Sequence, residues 1–257
     1  MEKKVKIKFL LFLTMLFAQA YAQEKARNFY DEIKNYNLSK IITADSILAE
    51  DVENTKEKLL RADPIGFIGD DYQRFYIHFS SVVQSKTDPY KYSIRGKTKV
   101  KETIRPFEGS LVVKQAVIGK NDDFPKYLQG YATCEMILQE DKNQTSTGII
   151  KGTINIGYVI DPKKNFRYDA LLFYTDGFSN NTFTGTWTSY KTKKSKKCNF
   201  GDYRIPESGD LDVGAGEFSP SPKYFDKGWK YYMLSMHGAT EADVESGRNK
   251  EKTKWWK

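Results

Sequence analysis

From Tyr72 onward the sequence alternates with a period of two, and this rhythm restricts the fold more than any other feature. In "YQRFYIHFSS", Phe75, Ile77 and Phe79 fall on one face, and Tyr72, Arg74, Tyr76 and His78 on the other. "YKYSIRGKTKV" sets Tyr90, Tyr92, Ile94 and Val100 against Lys91, Arg95, Lys97 and Lys99. "FEGSLVVKQAVI" sets Phe107, Gly109, Leu111 and Val113 against Glu108, Ser110 and Lys114. Such alternation gives strands with one face on a core and one in water, the habit of antiparallel sheets. "LQGYATCEMIL", "GIIKGTINIGYVI", "RYDALLFYT", "TFTGTWTSYKT" and "WKYYMLSM" continue the series. Turn clusters such as "KTDP", "GKNDDFP", "QEDKNQTST", "DPKKN" and "DGFSNN" separate them. About eight short strands with hairpin-length gaps predict an all-β barrel or sandwich. Gly96, Gly109, Gly130, Gly152 and Gly185 lie inside strands. Interior glycine weakens a flat sheet but suits a bent one, which favours the barrel.

The flanks read differently. Phe29, Ile33, Tyr36 and Ile41 recur at helical spacing, and Ile47, Val52, Leu59 and Leu60 continue a looser pattern, so residues 24–62 predict short helices. Asp63-Pro64 ends them, because proline disfavours a helical residue before it. At the other end, "EADVESGRNKEKTKWWK" predicts a polar tail, a frayed helix whose Trp255 and Trp256 dock back on the sheet. "KTKKSKK", residues 191–197, predicts a solvated hairpin tip.

Residues 1–22 have the form of an export signal. Lys3, Lys4, Lys6 and Lys8 precede the apolar run "FLLFLTMLFA", and Ala20 and Ala22 supply the small residues of a cleavage site. The run is shorter than the roughly 20 apolar residues that span a bilayer. No cysteine follows the cut to carry a lipid, and no later run is long enough to cross. The expected organisation is a signal at 1–22, a helical segment at 23–66, a β-barrel domain at 67–237 and a tail at 238–257. Cleavage takes four lysines and Glu2 from 41 basic and 33 acidic residues, so the net charge falls from +8 to +5. That balance favours solubility and is no nucleic-acid signature.

Residues 201–218, "GDYRIPESGDLDVGAGEF", gather Asp202, Asp210, Asp212 and Glu217 around Arg204 and several glycines. A calcium loop needs regularly spaced oxygen ligands and a glycine at the bend. Asp210, Asp212 and Glu217 approach that pattern, but Gly214 stands where the next oxygen belongs and Glu217 arrives too early. A turn-rich loop in which Arg204 pairs with Asp202 or Asp210 fits better. Asp176, Asp202, Asp210 and Glu217 could instead supply a glycosidase pair, roughly 5–9 Å apart, although nothing in the sequence selects two of them.

His78 and His237 are the only histidines. With two scattered cysteines and no H-x-x-x-H or C-x-x-C, they do not make a zinc centre. There is no G-x-S-x-G elbow and no phosphate loop, and no cofactor is expected. Cys134 and Cys198 could pair in an oxidising compartment, or remain two buried thiols; spacing alone supports both. The 17 Tyr, 16 Phe and 4 Trp suit either an aromatic-lined ligand cavity or a filled barrel core.

"GTW" at Gly185–Trp187, on a late strand, resembles the G-x-W signature of lipocalin-like (calycin) barrels. In that family the motif sits on the first strand, its tryptophan closing the barrel floor. The resemblance implies a ligand cavity inside the barrel. The wider pattern, from "PIGFIGDDYQRFYIHF" through "GKTKVK" to "GDYRIPESGDLDVGAGEF", also looks like exported bacterial proteins of unknown function.

The expectation is therefore an exported, non-catalytic binding protein with an apolar or sugar-like ligand at the barrel mouth. Tyr76, Tyr92 and Trp187 would supply contact area, and Arg204 and Asp210 would orient a polar group. The rivals are a carboxylate-dependent hydrolase acting on glycans, and a protein-interaction module using the basic hairpin and Trp255-Trp256. Expression in an exporting host should release a chain that begins at Gln23; intact-mass spectrometry checks this, and a released chain that keeps residues 1–22 would refute the signal.

Overall fold

The computed structural model describes residues 26–257; the expected signal segment lies outside the described residues. A first strand, β1 (Ala26–Asn28), leads into two single-turn helices, α1 (Tyr30–Ile33) and α2 (Ser39–Ile42). A two-stranded hairpin follows, β2 (Ser46–Glu50) and β3 (Lys56–Leu60). Then come β4 (Ile65–Ile68), β5 (Gln73–Gln84), β6 (Lys91–Val100), β7 (Thr103–Lys120), β8 (Leu128–Glu140), β9 (Gly148–Ile160), β10 (Phe166–Tyr168), β11 (Asn180–Ser189) and β12 (Ser195–Asp202). Two helices end the chain, α3 (Lys230–His237) and α4 (Glu241–Glu251). No helix among the described residues is long and apolar enough to cross a membrane.

Eight strands form a closed ring. Each of β4 through β9 pairs antiparallel with the next, β9 pairs with β11, β11 with β12, and β12 returns to β4. The short β10 and β1 add only to the margins of β9 and β7. The alternation read from the sequence places the inward faces correctly. Phe75, Ile77 and Phe79 of β5, Tyr92 and Ile94 of β6, Phe107, Leu111 and Val113 of β7, and Ile150, Ile154, Ile156 and Tyr158 of β9 are all buried in one cluster. Register shifts between Phe79 and Ser81 and between Val113 and Gln115 insert an extra residue. Each one flips the phase, which is how Val82, Ala116 and Ile118 come back inside.

The in-strand glycines mark places where no side chain fits. A Cβ on Gly96 would lie 2.1 Å from the His78 carbonyl oxygen and 2.5 Å from the Phe107 ring. Gly152 and Gly185 face each other across β9 and β11, and the Phe183 ring covers both. An aromatic ring thus covers the space left by Gly96, Gly152 and Gly185, which allows sharp strand bending without a void.

Three elements depart from the sequence expectation. "RYDALLFYT", expected as a strand, keeps only the end of β10 and then becomes the loop 169–179. Residues 46–60 form a hairpin rather than helix. Asp51 Oδ1 accepts from the backbone N–H of Glu53 and Thr55, both at 2.9 Å, and this side-chain turn competes with helix. "WKYYMLSM", residues 229–236 and expected as a strand, falls almost wholly in α3. Its partner is α4, where Gly247 brings the helices so close that a Cβ would lie 2.3 Å from the Ser235 nitrogen. Such a tertiary partner overrides local alternation. The tail follows expectation: Thr240 and Asp243 make a capping box at the start of α4, Trp256 stacks on His78 at 4.0 Å between ring centroids, and Trp255 lies near Tyr76 at 6.0 Å.

Cys134 and Cys198 are free and buried. They point into the same core from β8 and β12, with β9 and β11 between those strands. Burial pushes both thiols far above their ordinary range. The bridge that sequence spacing left open is therefore not formed.

A buried polar knot ties the hairpin to the ring. Arg61, just after β3, grips Asp202 at the end of β12 through two bonds of 3.0 Å. Its other nitrogen donates to the carbonyls of Ile42 and Ala44. Asp202 also accepts from the Tyr168 hydroxyl at 3.0 Å and the Asn181 amide at 2.7 Å. Arg61 and Asp202 side chains are 7% and 1% exposed, so removing one leaves the other charged and dry. Arg61→Met should lower unfolding free energy by about 3–5 kcal/mol, read from urea denaturation; a loss below about 1 kcal/mol would show that the pair does not hold the two units together.

Candidate functional site

The five residues expected to bind ligand do not share one place. Tyr92 lies in the core, where its hydroxyl accepts from the Leu38 N–H at 3.3 Å and donates to the Tyr36 carbonyl at 3.4 Å. Trp187 packs against the core from β11, its indole N–H donating to Glu140 Oε2 at 2.9 Å. Glu140 also accepts from the Gly148 N–H and the Thr98 hydroxyl. Tyr76 is on the outer wall, where the C-terminal segment covers it.

Arg204 pairs with Asp212, not with Asp202 or Asp210, through contacts of 2.9 and 3.1 Å. It also donates to the Gly214 carbonyl. Asp212 Oδ1 in turn accepts from the N–H groups of Gly214 and Ser219. Asp210 binds Lys223 at 2.8 Å and the Tyr224 hydroxyl at 2.7 Å, and Glu217 lies 3.1 Å from His237. Each carboxylate of the acidic stretch therefore has its own partner, and the segment is a laced loop. Among the described residues no group of three or more His, Cys, Asp or Glu side chains could hold a metal ion.

A site appears elsewhere, on the outer wall. An open cavity of 340 Å³ lies where β8, β9 and β11 meet the loop 169–179. Gln129 and Tyr131 come from β8, Asn155 and Gly157 from β9, Asn180 and Thr182 from β11, and Asp169, Asp176, Phe178 and Ser179 from the loop. The hairpin misread as helix braces that loop. The Glu50 N–H donates to the Ala170 carbonyl, and the Leu172 N–H donates back to Glu50. The Glu50 carboxylate binds Arg167, Tyr127 and Lys56, and Glu57 accepts from the Tyr174 hydroxyl.

Asn180 forms the back of the cavity. Its amide bridges Gly157 and the Asp169 carbonyl, with all its contacts between 2.6 and 3.2 Å. Asp169 accepts from Gln129 Nε2 at 2.7 Å and from the Leu171 N–H at 3.1 Å. Burial nevertheless raises its pKa to about 6, against those hydrogen bonds and the charge of Arg167. Other groups face outward. Tyr131 is 45% exposed. Asn155 spends its carbonyl on the Thr133 hydroxyl at 2.8 Å, which leaves its NH₂ for a ligand. Asp176 is exposed and makes no hydrogen bond or ion pair among the described residues. The result is a polar concave surface with one aromatic face, able to accept and donate several hydrogen bonds at once.

The sequence pointed at part of this. "DGFSNN" was expected as a rim loop, and Asp176 stood among the candidate carboxylates. Gln129, Tyr131, Asn155 and Asp169 were missed because each reads as the solvent-side member of an alternating strand or its end. No protein-family model, curated protein or solved structure matches the chain.

Asp169 sets a pH dependence. Folded, it holds its proton up to about pH 6; its ordinary value is 3.8. The folded state therefore binds more protons across that window, and stability should fall as pH rises from about 4 to about 6. Burial raises Asp63 as well, in the same direction, so Asp169→Asn isolates the effect. That variant should be more stable than the parent at pH 7, by on the order of 2 kcal/mol; carboxyl NMR showing Asp169 titrating near pH 4 would refute the assignment.

Proposed function

We propose that this chain is an exported, lipocalin-like barrel protein that binds a sugar-like small molecule without transforming it, and that its site is the outer-wall cavity at Tyr131, Asn155 and Asp176. The observation that carries this reading is the convergence of unspent hydrogen-bonding groups beside a half-exposed tyrosine ring in one concave surface. Sugars present that complement, an apolar ring face edged by hydroxyls. The eight-stranded up-and-down order supports the barrel reading, as does Trp187 packed inward against Glu140. The ring interior is occupied by its own side chains, which favours a wall site over one at the mouth and a hydroxyl-rich ligand over an apolar one.

The rivals have less support. Hydrolysis of a glycan requires a pair of carboxyl groups free to reach the scissile bond, and of the two in the cavity lining only Asp176 is free. Asp169 has the raised pKa of a general acid, but each of its oxygens already accepts an internal hydrogen bond. An interaction module built on Trp255 and Trp256 would need those rings free, whereas Trp256 stacks on His78 and Trp255 packs beside Tyr76.

Titration with a panel of neutral oligosaccharides, followed by amide NMR, tests the proposal. Shifts should cluster at Asn155, Gly157, Thr182 and residues 176–180. Tyr131→Ala should weaken binding about tenfold, equivalent to about 1.4 kcal/mol, without changing the melting temperature. Shifts confined to other strands, or none across the panel, would refute it.

A further inference from the structure

The charge around the cavity runs against the charge of the whole protein. The chain carries a net +8, yet the residues lining the cavity include Asp169 and Asp176 and no lysine or arginine. Two arginines lie nearby, and both are committed elsewhere. Arg167, behind Asp169, is held by Glu50 and the Leu48 carbonyl. Arg204 is held through Nε and Nη2 by Asp212 and the Gly214 carbonyl, with its Nη1 lying beside Gly177. Asp176 stands at the edge with no partner of its own among the described residues. Gly216 packs against it, so close that a Cβ there would lie 2.6 Å from Asp176 Oδ1. The Gly177 N–H donates to the Gly216 carbonyl at 2.7 Å, which fixes the backbone next to the carboxylate. A concave surface with fixed negative charge and no cation among its lining residues favours a ligand that brings one.

We infer that the cavity selects an amino sugar, with its ammonium group against Asp176 and its ring and hydroxyls against Tyr131 and Asn155. The inference rests on the sugar-binding reading above and adds the ligand's charge. Tyr131 serves twice here, since an ammonium-bearing ring gains from an aromatic face beyond ordinary stacking. Asp169 acts from behind: it adds negative charge when ionised and withdraws it as pH falls through about 6. Lys and Arg side chains absent from the lining would otherwise repel such a ligand, and an acidic sugar would meet two carboxylates with no counter-charge.

Calorimetric titration at pH 7 and low salt decides this, with the fully deacetylated chitosan trimer, its N-acetylated counterpart and spermidine as probes. The deacetylated trimer should bind at least tenfold tighter than the acetylated one. Asp176→Asn should abolish most of that preference, lowering the affinity for the deacetylated trimer far more than that for the acetylated one; because Asp176 is exposed and makes no hydrogen bond or ion pair among the described residues, the variant keeps its fold. Spermidine should bind far more weakly than the deacetylated trimer, because it lacks the ring and hydroxyls. Equal affinity for the two trimers would overturn the charge assignment and leave the sugar site standing. Spermidine binding as tightly as the deacetylated trimer would overturn the amino-sugar assignment in favour of charge alone. Full preference retained in Asp176→Asn would overturn the placement of the ammonium, and no heat from any probe would overturn both this inference and the reading beneath it.

Discussion

Closure of the strand ring depends on glycine meeting aromatic ring. A sheet that rolls up must bend its strands sharply and still leave no void in its interior. Gly152 and Gly185 meet across neighbouring strands with Phe183 lying over both, and Gly96 does the same with Phe107. Backbone carbonyls occupy the space where a Cβ would stand, so alanine at these positions would push strands apart, not merely crowd a side chain. The stacked pair of Phe183 and Phe200, 4.5 Å between centroids, links this packing to β12, the strand that closes the circle on β4.

Around that apolar interior sit, among the described residues, three fully buried carboxylates, each satisfied in a different manner. Asp202 has Arg61 and two neutral donors. Glu50 has Arg167, Lys56 and a tyrosine. Glu140 has no cation and takes three neutral donors, from Trp187, Gly148 and Thr98. The first two tie the N-terminal hairpin to the wall, one at the end of β12 and one at the loop that shapes the cavity. The outer wall near β5 uses the reverse arrangement: Arg74 is 3% exposed and lies against the rings of Tyr76, Trp229 and Tyr232 at 4.4–5.0 Å, with Glu251 of α4 as its anion. The helices themselves bury little; this cation, the Tyr232 ring against Phe218 and Trp229, and the two terminal tryptophans attach them.

The strands were legible because their alternation is long and regular, as in "GIIKGTINIGYVI", where five inward positions keep phase. The hairpin at 46–60 was not, because Ile47, Leu59 and Leu60 fall at spacings that a helix also satisfies, and the turn at Asp51 shows only in three dimensions. Helix α3 was misread for the complementary reason: "YYML" alternates weakly, and only the close approach of Gly247 decides the matter. The site followed the same logic. Part of its loop, "DGFS", carries turn residues that sequence reading finds easily, whereas the part before it, in "RYDALLFYT", reads as a strand. Its walls consist of outward-facing polar residues, indistinguishable along the chain from the many others that simply meet water. The acidic stretch at 201–218 drew attention because its charges are adjacent in sequence, yet in space each has a separate partner.

The two sulfur atoms enclosed by the ring have a consequence for how the chain can be made. Held as protonated thiols among Phe, Ile and Met side chains, unpaired and shielded from solvent, they leave folding independent of redox conditions. Neither an oxidant nor an isomerase is required for the native state to form, and a reducing cytosol and an oxidising exterior should yield the same molecule.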